Sequence, residues 1–363
     1  MSRSKHSILL YVLLSPLGYL LLKHLHHVLL SFNLVQKAAC RNSASILETY
    51  SAPGFSSLLD KVVCVLVRFC VQAINDPLCF PMTATLVGLA TTAYAVMSVE
   101  QTRFNGSRFL TPFMITMGNI IGTGVIAPLA WLPWYGWSLS HHHKQTHVNI
   151  MNNKLKTSSN NSDKLKERIN HLKQQQFSLP SIAPNYAFSI AIATLFGQFL
   201  PVALLVSHGP SLTQHNILAS FQYFGIVYGL IKLVLPSCTT GLNEKTKNSE
   251  SVRLLYAGVA GINAFLYYWV WIKWLQTTTS PDLMVKQWIE LFFSLGTTGE
   301  NPVTYMLMWD IVALFSTFTY WAWLEDGLEG VKTMLINSVF FGPGASLAIY
   351  TLKREGRIEA TKL

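Results

Sequence analysis

Charge is what this sequence is short of. Of its 363 residues only 12% are Asp, Glu, Lys or Arg, against about 25% in an ordinary soluble domain. No hydrophilic segment is long enough to fold on its own between the apolar runs, which argues against a second, soluble domain. The usual nucleotide and hydrolase signatures are missing as well. There is no G-x-x-x-x-G-K-[ST], no G-x-S-x-G, no H-E-x-x-H and no Rossmann fingerprint. Nucleotide-driven transport and hydrolase chemistry thereby lose their familiar machinery. No D-D-x-x-D or N-D-x-x-D cluster occurs, which disfavours metal-dependent ionisation of a diphosphate. The cysteines Cys40, Cys64, Cys70, Cys79 and Cys238 are odd in number and form no C-x-x-C pair. They read as bundle fillers, not as a disulfide framework. Basic and aromatic residues form no stripe that would point to nucleic acid.

What is present is apolar. Half of the residues are hydrophobic and 12% are aromatic, a composition that suits bilayer spans with Trp and Tyr at the interfaces. Apolar runs at 8–22, 82–99, 109–134, 182–206, 217–235, 254–275, 303–323 and 334–350, the last broken by Gly342-Pro343-Gly344, predict an all-α, polytopic membrane bundle of about eight transmembrane helices. Residues 1–30 read as an N-terminal anchor whose signal-like run is not cleaved. Residues 31–363 read as one bundle. Residues 57–73 mix an apolar face with Asp60, Lys61 and Arg68, and 282–295 are amphipathic and too short to cross. The net charge of +10 is placed in loops, chiefly a basic loop at 138–178 that the positive-inside rule assigns to the cytosol. The endoplasmic reticulum is the membrane this arrangement suggests. Counting crossings from that loop puts the basic tail at 353–363 on the opposite side, against the same rule.

One acid lies inside an apolar, aromatic run. Asp310, in VTYMLMWDIVALFSTFTYWAW, carries a charge that costs about 2.5–3.5 kcal/mol at membrane depth on insertion scales. A carboxylic acid kept neutral in a dry site can donate a proton, and aromatic faces can hold a developing cation. Trp321, eleven residues on, falls on the same helical face; Trp309 and Trp323 complete a candidate pocket wall. The plain alternative is a structural acid paired with a base such as Lys273 or Arg253.

Other candidates are weaker. Glu100 and Arg103 have the spacing of a local ion pair; facing inward, Glu100 would be a second acid or base and Arg103 would orient a polar group of the substrate. Asp76 reads as a cap. Glu325, Asp326 and Glu329 read as a solvated turn. His143 and His147 form a single H-x-x-x-H box, where a di-iron oxygenase needs several.

These stretches resemble a family. Asn75-Asp76-Pro77 with Pro81 before a span ending in Glu100 and Arg103, the glycine-rich run 113–134, the Trp309-Asp310 helix and the closing FGPGASLAIYTLKREGR look like the integral-membrane terpene cyclases of fungal meroterpenoid pathways, of the ascofuranone and macrophorin cyclase type. The resemblance implies cyclisation of a farnesyl-type chain, begun by protonating a terminal epoxide or alkene, with no metal or redox cofactor. The expected partners are a lipophilic, prenylated small molecule and membrane lipids, with no nucleic acid and no obligatory protein partner. Asp310 and Glu100 as catalytic groups, and Arg103, Trp309, Trp321 and Trp323 as substrate contacts, rest on the physical argument alone. A carrier for the same class of metabolite is the rival reading, and a histidine-box oxygenase is a more distant one.

Overall fold

The computed structural model describes residues 8–23, 57–76, 79–157, 179–207, 217–218, 223–239, 248–277 and 302–360, together with 280, 282, 285, 286 and 289. Among the described residues the chain is helical and has no strand. In order the helices are α1 (Ile8–Lys23), α2 (Ser57–Asn75), α3 (Cys79–Arg103), α4 (Leu110–Ile121), α5 (Thr123–Ile126), α6 (Leu132–Thr157), α7 (Pro184–Thr194), α8 (Leu200–Ser207), α9 (Phe224–Cys238), α10 (Asn248–Thr277), α11 (Pro302–Asp326), α12 (Leu328–Phe341) and α13 (Pro343–Ala360). Among the described residues four helices are long and apolar enough to cross a membrane: Cys79–Arg103, Pro184–Leu204, Glu250–Gln276 and Val303–Asp326. The outer faces of the bundle carry large apolar side chains such as Leu254, Phe265 and Val339, all well exposed, as a lipid-facing surface requires.

Two π turns join these helices. Ala127–Trp131 links α5 to α6, and Leu195–Phe199 links α7 to α8. Each is followed at the second residue by a proline, Pro133 and Pro201. A proline inside a helix has no N–H to give and crowds the preceding turn, and a local π turn is one way the backbone accommodates this.

The core of the bundle is a pair of parallel helices, α3 and α11. Their starts meet where Cys79 Sγ and Thr304 Oγ1 lie 2.6 Å apart. Their ends meet at Arg354, which reaches Glu100 of α3 at 2.8 Å and Glu325 of α11 at 3.2 Å. Asp76 Oδ1 accepts the Cys79 N–H at 2.9 Å and so caps α3.

Each of the two is followed by a helical hairpin that goes partway down the bundle and returns. After the turn at Gly106, α4 runs back along α3 as far as Gly122, whose φ of 98° breaks the helix. The chain then reverses. Gly124 packs on Asp310, Trp131 stacks 4.7 Å from Phe318, and the Tyr135 hydroxyl donates to Glu325 at 2.8 Å. The sequence 310, 318, 325 shows that α5 and α6 climb α11 towards the end from which α4 came. The second hairpin repeats this. From Gly327, α12 runs back to Gly342, where φ is 82°. Gly344 then packs on the backbone of Gly88 and Leu89, the Thr92 hydroxyl donates to the Gly344 carbonyl at 3.0 Å, and α13 climbs α3 to Glu100.

Each hairpin thus docks on the long helix of the other pair, an arrangement of parallel repeats with an approximate two-fold axis along the bundle. It corrects two readings of the sequence. The stretches at 109–134 and 334–350 do not cross the bundle; each is a hairpin with both ends on one side. The polar stretch beginning at 138 is also not a loop from its start, because α6 continues to Thr157. The remainder of that stretch and most of 282–295 lie outside the described residues.

Candidate active site

A cavity of about 180 Å³ lies at the tip of the first hairpin, between α2, α3, α11 and the π turn at Leu195–Phe199. Its wall is mainly apolar, with Phe69, Phe80, Leu86, Val87, Ile120 and Met306 among its residues. Into this wall are set Asp310, Tyr94, Thr123, Asn119 and Gln198.

Asp310 is held by backbone. Its Oδ1 accepts the Gly124 N–H at 2.6 Å, and the Thr123 amide also hydrogen-bonds the carboxylate. These are the first amides of α5, which the break at Gly122 leaves without helical acceptors. The approach requires glycine: a Cβ on residue 124 would lie 2.5 Å from the Asp310 carbonyl oxygen and 2.7 Å from Oδ1. Beside it the Tyr94 and Thr123 hydroxyls lie 2.7 Å apart. Among the described residues Asp310 has no cationic partner. Arg253 pairs instead with Glu359 at 3.7 Å, and Lys273 sits 5.4 Å from the Trp269 ring.

The structure does not bring Glu100 to this cavity. Glu100 and Arg103 are buried at the far end of α3 in a network with Glu325, Arg354 and Glu355. Arg103 lies 3.3 Å from Glu100 and 2.5 Å from Glu355, and its Nη1 donates to the Pro180 carbonyl at 2.9 Å. Arg354 also donates to the Tyr135 hydroxyl at 3.0 Å and lies 5.0 Å above the Trp321 ring. Burial works against the Arg354 charge, but Glu100, Tyr135, Glu325 and Glu355 outweigh it and hold the guanidinium well above its ordinary pKa. Three carboxylates around two guanidinium groups form a structural clamp, and the local pair read at Glu100 and Arg103 is one edge of it. Trp131, Tyr135, Phe318 and Trp321 pack edge and face between clamp and cavity.

None of the three tryptophans lines the cavity. Trp321 does share the face of Asp310, but eleven residues put it about 16 Å along the axis, in the aromatic layer below Arg354. Trp323 falls about 220° round the helix from Asp310 and is 43% exposed on the outer surface. Trp309 packs beside Tyr305, with ring centroids 6.3 Å apart. His143 and His147 lie on α6. Among the described residues no three His, Cys, Asp or Glu side chains are grouped so as to hold a metal ion.

The sequence reading passed over Tyr94, Thr123, Asn119, Gln198 and Arg354. A signal existed for two of them. Asn119 in MGNIIG and Gln198 in LFGQFL are polar amides inside apolar helices, where such groups seek a partner. No protein-family model, curated protein or solved structure matches the chain.

Proposed function

We propose that the chain is a membrane-bound cyclase, resident in the endoplasmic reticulum, that folds the prenyl chain of a lipophilic substrate and starts its cyclisation by protonation. One observation supports this reading above the others: Asp310 is set in the wall of an apolar cavity and held by backbone amides, with no cationic partner among the described residues. Protonated, Asp310 is the donor. Its O–H proton passes to a terminal epoxide oxygen, whose C–O bond breaks, or to a terminal alkene carbon. The cation formed is attacked by the internal alkenes in turn, each attack making a C–C bond. Loss of a C–H proton back to the carboxylate ends the sequence. Atoms and electrons balance within the substrate, so product and substrate have equal mass. The rings of Phe69, Phe80 and Tyr94 stand where aromatic faces would stabilise positive charge. Glu100 and Arg103 serve the clamp and do not contact the substrate.

The direct test is to add a farnesylated phenol, or its terminal epoxide, to microsomes containing the full chain. A new compound of unchanged mass supports the cyclase. Redistribution of unaltered substrate across the membrane supports the carrier reading instead. One observation favours that second reading: the helix breaks at Gly122 and Gly342 lie inside the bundle, and discontinuous helices often form transporter binding sites.

A further inference from the structure

Asp310 is held by a turn that is itself weakly closed. α5 has four residues, and the position before it is Gly122, which has no side chain to cap it. The Val125 and Ile126 N–H groups share the Gly122 carbonyl at 3.2 and 3.3 Å, at and beyond the long end of the usual N–H···O range. A single helical turn is unfavourable on its own, because several dihedrals are fixed for one hydrogen bond. Yet this turn presents both its Thr123 and its Gly124 amide to the Asp310 carboxylate.

The one polar side chain of α5 supplies an anchor. Thr123 Oγ1 lies 2.7 Å from the hydroxyl of Tyr94 on α3. Thr123 is 5% exposed and Tyr94 2%, so the bond lies where an unmet hydroxyl is costly. Gly118 makes the approach possible: a Cβ there would lie 3.0 Å from the Tyr94 oxygen, 3.1 Å from Thr123 Oγ1 and 3.4 Å from Thr123 Cα. Threonine is β-branched and stiff at χ1, so holding its hydroxyl also holds its backbone. Thr123 therefore has its side chain tied to α3 and its amide turned to Asp310 on α11. Those two helices are joined at their starts by Cys79 and Thr304 and at their ends through Arg354. The chain Tyr94–Thr123–Asp310 is a polar link between these ends.

We infer that Tyr94, acting through Thr123, is a positioning residue for Asp310: its hydroxyl sets the turn whose amides orient the acid. This rests on reading Asp310 as the working acid of the cavity, but not on the reaction that the acid starts. A bond that merely satisfied two buried hydroxyls would stabilise the fold without setting the acid, and the test separates the two.

The test reads the carboxyl directly. Dicyclohexylcarbodiimide, a lipophilic reagent for protonated carboxyl groups, is added to microsomes containing the full chain, and N-acylurea adducts at Asp310 and Glu100 are followed by peptide mass spectrometry. Glu100, buried in the clamp, reports any general loosening. Tyr94→Phe keeps the ring and Thr123→Val keeps the shape, but each removes the bond. Each is expected to speed labelling of Asp310 by about tenfold, the scale of one hydrogen bond, and to leave Glu100 unlabelled. Thr123→Ser keeps the hydroxyl and should stay within about twofold of the wild type; the double variant Tyr94→Phe/Thr123→Val should match the single ones, because all remove the same bond. With the terminal epoxide of a farnesylated phenol as substrate, kcat of Tyr94→Phe should fall by about 10–100-fold while KM holds, the pattern of a misplaced catalytic group. Unchanged labelling of Asp310 in both variants overturns the inference, whatever kcat does. So does faster labelling that extends to Glu100, or loss of both variants from the membrane, because the bond then serves the fold as a whole. If labelling responds as expected and the wild type forms no isomer, the positioning role stands and the cyclase reading falls.

Discussion

The Gly124 N–H and Asp310 Oδ1 lie 2.6 Å apart, and a Cβ at residue 124 would overlap the Asp310 carbonyl. The hydrogen bond and the close contact are one feature. The break at Gly122 frees the amide, the missing side chain lets it reach α11, and the acid is thereby fixed in the cavity wall.

Asp310→Asn separates the proton from the contact. The carboxamide oxygen can still accept from Gly124, so the fold should persist and the protein should stay in the membrane. General acid catalysis contributes about 10²–10⁴-fold, and product in microsomes should fall by that order. Full turnover by the variant would remove Asp310 from the mechanism.

Gly124→Ala tests the contact itself. Overpacking of this kind costs about 1–3 kcal/mol, and the displaced α11 should carry Asp310 out of register, lowering both Tm in detergent and product yield. Gly258→Ala and Gly261→Ala on α10 are the controls. A Cβ at either position meets no heavy atom within 4 Å, and both sit inside a helix, where alanine is favoured over glycine by roughly 0.5–1 kcal/mol. Their Tm should hold or rise. A Gly124→Ala protein as stable as the wild type would mean the packing at residue 310 is looser than described.

How far these relationships could be read in advance depends on whether they are local. Asp310 was visible because a carboxylate inside an apolar run breaks a composition rule. The break at Gly342 was visible because Pro343 follows it. The equivalent break at Gly122 was not, because NIIGTGVIA is continuous in hydropathy and lacks a proline. The clamp was hidden for another reason. Glu100 and Arg354 are 254 residues apart, and nothing in either local sequence names the other. Helical periodicity correctly put Trp321 on the face of Asp310. It carried no information on depth, which is why the ring belongs to the layer beneath Arg354 and not to the cavity.

Removing one member of the clamp should be costly. Arg354→Met leaves Glu100 and Glu325 buried beside each other without their shared cation, and breaking a buried pair in this way costs about 3–5 kcal/mol. Arg354→Lys should rescue little, because a single ammonium cannot reproduce the fork that serves Glu100, Glu325 and Tyr135 at once. Arg253→Ala is the contrast. Its side chain is 48% exposed and its partner Glu359 is 3.7 Å away, so loss of the pair should shift stability by about 1 kcal/mol or less. Thermal unfolding in detergent ranks the three. Equal effects from Arg354→Met and Arg253→Ala would show that the clamp does not carry the weight assigned to it.

The hairpins make a prediction about sidedness that also removes a conflict in the charge pattern. If residues 109–134 crossed the membrane once, Asn105 before them and His141 after them would face opposite compartments. In the structure both are exposed at the same end of the bundle. The end of α11 and the α13 residues Arg354 and Arg357 lie there too, with Arg357 paired to Asp326. Two hairpins in place of two crossings therefore put the start of the basic stretch at 138–178 and the approach to the basic tail on one side, as the positive-inside rule asks. Single cysteines placed at Asn105, His141 and Lys353 in a cysteine-free background should all react with a membrane-impermeant maleimide from the same side of sealed microsomes. Labelling of Asn105→Cys and His141→Cys from opposite sides would restore a continuous span at 109–134. It would also take away the helix break that presents Gly124 to Asp310, so the same experiment bears on the fold and on the site it builds.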